Sequence, residues 1–130
     1  MLPNRIVVRF ADGRILKGTT QDFAPAGDVF HVILSEGGSR PIAVSLADLK
    51  AVFFVKDLVG HSGYQERKEF NEPVWGRKLR VTFADGEILV GATETYQPDR
   101  PGFFLVPADP QSNNDRVYVV MKAIAHLQFL

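Results

Sequence analysis

Val8-Arg9-Phe10-Ala11-Asp12-Gly13-Arg14-Ile15-Leu16-Lys17-Gly18-Thr19-Thr20 decides the fold, because the chain writes it again as Val81-Thr82-Phe83-Ala84-Asp85-Gly86-Glu87-Ile88-Leu89-Val90-Gly91-Ala92-Thr93. Each version alternates apolar residues into Asp-Gly and then continues as Ile-Leu-x-Gly. Asp-Gly supplies the backbone freedom of a tight hairpin turn, and the alternation on either side reads as strands with one buried face. The later glycine, Gly18 or Gly91, marks a bend or a close backbone approach inside the second strand.

Working outward, Ile6, Val8 and Phe10 share one face of the first strand while Arg5, Val7 and Arg9 share the other. Beyond the hairpin, Val29–Leu34, Pro41–Leu46 and Lys50–Val55 read as three further strands. Ser45–Leu49 forms a single helical turn between the last two. The second copy follows at a separation of 73 residues, matching Phe23 to Tyr96, Pro25 to Pro98 and Phe30 to Phe103. The separation then becomes 75, matching Leu49 to Ile124 and Phe54 to Phe129. The two extra residues fall in the polar loop Ala108–Asp115. The chain is thus expected to be all-β, a tandem repeat of two five-stranded small barrels at residues 1–55 and 78–130. Residues 56–77 form a linker, partly packed through Phe70 and Trp75, with a short helix over Gln65–Phe70.

Bulk composition narrows the function classes. The 130 residues carry 15 basic and 15 acidic side chains, and the balance holds within each segment, so no segment is a basic patch. Nucleic acid is therefore not the favoured partner. Cysteine is absent, which removes disulfides, thiolate nucleophiles and Cys-based zinc sites and makes the cytoplasm the expected location. No apolar run approaches the roughly 18 residues of a membrane span, and the first residues lack the pattern of an export signal.

The hairpin, bent second strand, tight helical turn and short last strand resemble the Sm-like small barrel and, equally, other SH3-like barrels. The tandem Phe-Ala-Asp-Gly repeats together with Pro101-Gly-Phe-Phe-Leu-Val-Pro-Ala-Asp-Pro-Gln-Ser-Asn-Asn114 are similar to an uncharacterised bacterial family over nearly the whole chain. That resemblance implies the barrel fold and carries no activity. Sm-like RNA binders have an Asn in the loop before strand three and an Arg-Gly or Lys-His motif between strands four and five. Here those places hold Asp28 and Pro101-Gly102, then Ala47-Asp48 and Lys122-Ala123.

No catalytic, cofactor or metal site is expected. Asp12 and Asp85 recur at matching positions, but each precedes Gly and is read as a turn residue whose carboxylate caps local N–H groups. His31, His61 and His126 lack metal spacing, and Ser62, Ser112, Thr19 and Thr93 lack a visible His/Asp partner. The Asp109–Asp115 loop lacks the spaced carboxylates of a calcium loop. Arg5 and Arg9 form an Arg-x-x-x-Arg pattern similar to that of the cyclic-dinucleotide-binding PilZ barrels, without the companion Asp/Asn-x-Ser-x-x-Gly, and are read as a solvated face.

The copies differ in one systematic way. On the face away from its own core, copy two carries Val90, Phe104, Val106, Tyr118 and Val120, where copy one has Lys17, His31, Ile33, Ala43 and Ser45. An apolar surface of that kind must be covered by the other barrel, the linker, another copy of the chain or a separate partner. The expected function is a non-catalytic protein-interaction or regulatory module with this face as its contact surface, to a protein partner or in a homo-oligomer. The alternatives are an Sm-like RNA binder using Arg80, Arg100 and Arg116 beside Phe104 and Tyr118, and a small-ligand or nucleotide sensor built on Arg5 and Arg9.

Overall fold

Alternating apolar residues form ten strands in the computed structural model, which describes residues 3–36, 40–60 and 63–130. In chain order they are β1 (Asn4–Phe10), β2 (Ile15–Thr20), β3 (Val29–Leu34), β4 (Ile42–Ser45), β5 (Leu49–Val55), β6 (Arg77–Phe83), β7 (Ile88–Thr93), β8 (Gly102–Pro107), β9 (Asn114–Val120) and β10 (Ile124–Phe129). One-turn 3-10 helices at Leu46–Asp48 and Met121–Ala123 precede β5 and β10. β4 starts after Pro41, which lacks the N–H a ladder needs.

The two halves repeat one another in register. Ile6 lies opposite Gly18 and Val8 opposite Leu16 in the first half; Leu79 lies opposite Gly91 and Val81 opposite Leu89 in the second. Gly13 and Gly86, at φ 98° and 94°, make the hairpin turns. The 3-10 turns are tied down alike: Leu46 N–H donates to Asp28 C=O (2.9 Å), and Met121 N–H donates to Pro101 C=O (2.8 Å).

All ten strands form one antiparallel series, β10-β6-β7-β8-β9-β5-β1-β2-β3-β4. The joint is β5 against β9, with Ala51 opposite Val119, Val52 opposite Tyr118 and Phe53 opposite Val117. Every residue of β5 is buried, Lys50 included. The reason is that each of its faces meets a different core. Val52 and Phe54 pack with Ile6, Val8, Phe30 and Val32, and Tyr118 and Val120 of β9 join that first core. Ala51, Phe53 and Val55 pack instead with Leu79, Val81, Phe83, Phe103 and Leu105. Each half therefore lends a strand to the other's core. Full burial of an aromatic such as Phe53 or Phe54 is worth about 1.5–3 kcal/mol, so the seam stabilises both halves at once.

The segment between β5 and β6 differs from expectation in two ways. Over 63–70 the chain is irregular, with no helix at Gln65–Phe70. There the backbone N–H of Arg67 and the Tyr64 hydroxyl are both committed to the Asp109 carboxylate, which holds the segment across the second half rather than letting it coil. Leu58 packs on the second core and Phe70 is half-buried beneath Lys78, but Trp75 is 87% exposed.

Candidate functional site

The contact face read from copy two is divided by the fold. Tyr118, Val120 and Val90 are buried, and Phe104 is half-buried. The first half covers Tyr118 and Phe104 through Phe23, whose ring stands edge-on to Phe30, Phe54, Phe104 and Tyr118 at centroid distances of 5.1–6.1 Å. Ala43 and Ser45 in the first half have no such duty, which explains the asymmetry between copies. Val106 alone of the five remains well exposed, at 55%, where it shares a shallow hollow with Pro73, Val74 and Trp75.

The three arginines do not converge. Arg80 on β6 donates to Gln128 Oε1 of β10 at 3.1 Å, and β7 and β8 separate it from β9. Arg116 on β9 lies over the rings of Phe54 (4.3 Å) and Phe104 (4.6 Å), a cation–π arrangement that seals the seam. Arg100 belongs to the loop before β8. Of the other arginine pair, Arg5 is exposed on β1, whereas Arg9 lies 5.6 Å from the Phe53 ring centroid.

Arg100 opens onto a groove of about 700 Å³ where the halves meet. Its first wall comes from the loop Pro25–Asp28 and from Ser45, Leu46 and Ala47. Its second wall is Arg100, Pro101 and Lys122, and Tyr118 and Val120 make the floor. Repeat symmetry explains the contrast between the walls. Arg100 stands where the first half has Gly27, and Lys122 where it has Ala47, so the second wall carries two cations and the first is mostly small, with Asp28 as its carboxylate. Among the described residues neither Arg100 nor Lys122 enters an ion pair. Burial raises the Tyr118 hydroxyl above its ordinary value, with Arg100 acting in the opposite direction. The groove thus combines an apolar floor with two cations and can hold an anionic group attached to an apolar body.

The remaining polar clusters are tied into the framework. Asp12 accepts from the Arg14 N–H (3.0 Å) and from Arg14 Nε (2.9 Å) within its turn. Asp85 does the same with the Glu87 N–H at 3.0 Å, but also accepts from Lys50 Nζ at 2.7 Å, and Lys50 bonds Glu87 as well. Lys50 crosses the seam with its side chain 8% exposed and its ammonium 4.7 Å from the Phe83 ring centroid. Its bond to Asp85 is the main cause holding that carboxyl below the usual carboxylate range. Sequence reasoning missed Lys50; the one signal was a lysine within an otherwise apolar strand, where the second copy has Ala125.

Asp109, in the lengthened loop, is almost fully buried. It accepts from the Tyr64 hydroxyl, from Arg67 N–H (2.8 Å) and from Gln111 N–H (2.9 Å), and these bonds, Tyr64's first, bring its pKa down to about 2. Ser112 bonds Glu66 in the same place. The loop therefore clamps the connecting segment. His31 pairs with Asp22 at 2.7 Å, His126 is exposed on β10, and His61 and Ser62 lie outside the described residues. Among the described residues no three His, Cys, Asp or Glu side chains gather as a metal site. Among the described residues no helix is long and apolar enough to cross a membrane.

A family profile matches residues 2–130, spanning both halves, the connecting segment and the groove. The chain belongs to the DUF6982 family of unknown function. No curated protein and no solved structure matches it. In this DUF6982 chain the candidate site is the groove, whose walls come from both halves.

Proposed function

We propose that the chain is a non-catalytic protein-interaction module, built as a tandem of two Sm-like (SH3-like) five-stranded barrels, that binds a partner segment in the groove between its halves. The barrel reading is supported by the equal strand registers and equal turn hydrogen bonds of the two halves. The observation that carries the function is the groove's asymmetry. Small residues of the first half leave room above an apolar floor, and Arg100 and Lys122 of the second, which enter no ion pair among the described residues, supply positive charge. The matching ligand is an extended peptide with an acidic residue beside an apolar one. Selection from a random peptide display library on the intact protein tests this. Enrichment of such sequences is expected, and Arg100→Glu with Lys122→Glu should abolish it. Absence of enrichment, or the same sequences on the doubly reversed protein, would contradict the reading.

Single-stranded RNA is the second reading, favoured by Arg100 and Lys122 lining the groove together with Tyr118. Two phosphate contacts would give a slope of about −1.4 in log affinity against log salt. The stacking rings named from sequence weigh against it, since Phe23 already covers Phe104 and Tyr118.

A further inference from the structure

The seam between the halves is also a template for a surface elsewhere on the molecule. β5 and β10 are repeat equivalents that meet their neighbours in the same register, Val52 opposite Val8 and Leu127 opposite Val81, each after an irregularity one residue earlier in the ladder. β5 has a second neighbour, β9, whereas among the described residues β10 stands at the end of the strand series with β6 alone beside it. The consequence is visible in burial. Val52 and Phe54 are 0% and 4% exposed, but their equivalents are not sealed: Leu127 is half-buried and Phe129 is 37% exposed. Phe129 lies against Tyr96 (5.3 Å) and beneath the Arg77 guanidinium (3.7 Å). Leu130 N–H donates inward to Lys78 C=O. Antiparallel alternation then turns the backbone groups of Leu127 and Phe129 to the open edge.

The chain's own edge strand at the other end does not fit this place. Tyr118 and Val120 are the residues by which β9 fills the first core, and Arg116 lies over Phe54. At the equivalent positions of β4 and the residue before it stand Ala43, Ser45 and Pro41. Alanine and serine leave the core unfilled, and proline removes a ladder N–H, a common way of blunting an edge. The β4 edge of a second copy therefore lacks the side chains that β10 requires.

We infer that β10 accepts, antiparallel, an extended segment of a different protein, bearing an aromatic residue opposite Leu127 and a β-branched residue two positions nearer its C-terminus. His126 and Gln128 point to the other face, so the alternate residues of that segment are polar. This is β-strand addition, with main-chain hydrogen bonds for affinity and alternate side chains for specificity. It concerns a site other than the groove and stands whether or not the groove is occupied.

The probe is a synthetic peptide with the sequence of residues 114–120, the strand β5 accepts, titrated into the isotope-labelled full chain and followed by amide NMR. Saturable shifts at Leu127 and Phe129 are expected. Tyr118→Ala in the peptide, which leaves the protein untouched, should weaken binding about tenfold, as should Phe129→Ala in the protein. A peptide of residues 41–46 should not bind. The inference is overturned if β10 amides do not move, if the shifts fall on β5 through strand exchange, or if the 41–46 peptide binds equally well, which would make a second copy the occupant.

Discussion

Asp109 shows how one residue can hold a whole segment. Its carboxylate gathers the Tyr64 hydroxyl, the Arg67 N–H and the Gln111 N–H, so the chain between the halves is anchored to the inserted loop. The folded pKa of about 2 lies below the ordinary 3.8, so the stabilisation is complete above the unfolded value and is lost as pH falls through about 2. Tyr64 is shifted the other way, upward, by the same bond, so its share is lost only above its ordinary value of 10.0. Urea unfolding measured across the acid limb should show stability dropping between about pH 4 and pH 2. Asp109→Asn should flatten that part of the curve; an unchanged acid limb in the variant would assign the loss to other carboxylates. From sequence, Asp109 was legible only as part of a polar loop, because two of its three partners lie 42 and 45 positions away. Asp12 and Asp85 were legible as turn residues, since their partners are two residues on, but the Lys50 bond to Asp85 was not.

At the scale of the strands, local pattern was a good guide. β2 and β3 run over the residues their alternation marks out, and the one-turn helix before β5 is where Ser45–Leu49 places it. Gly18 and Gly91 have the physical role that a glycine inside a strand implies. A Cβ on Gly91 would stand 2.2 Å from the Val106 carbonyl oxygen, and one on Gly18 would stand 2.1 Å from that of Ile33. Gly91→Ala should therefore cost about 1–3 kcal/mol through forced backbone movement, read as a shift of the urea midpoint at constant slope. A smaller cost, near that of a surface change, would mean that β7 and β8 separate easily. What local pattern left open was the neighbour of each edge. β5 contained the missed signal: apart from Lys50, Leu49–Val55 is continuously apolar, which marks a strand buried on both faces rather than one. β10 differs in keeping His126 and Gln128 polar, the alternation of a strand buried on one face.

For the whole molecule, the duplicated halves are physically dependent. A chain of about 55 residues buries too little surface to be stable with ease, and here each half borrows a strand from the other. Phe53 completes the second core while Tyr118 completes the first. The repeat explains the resemblance of the halves, and their differences explain the joint: Lys50 against Ala125, Phe53 against Gln128, Tyr118 against Ala43. The same differences place the groove at the seam and leave β10 without a second neighbour. Native-state hydrogen exchange in rising denaturant tests this mutual dependence most directly, because it reports the opening free energy of each strand separately. Amides of β1 and β5 in the first half and of β6, β8 and β9 in the second should converge on a single opening free energy. Two distinct plateaus, one for residues 3–55 and another for 77–130, would show halves that unfold independently and would contradict the shared-strand account.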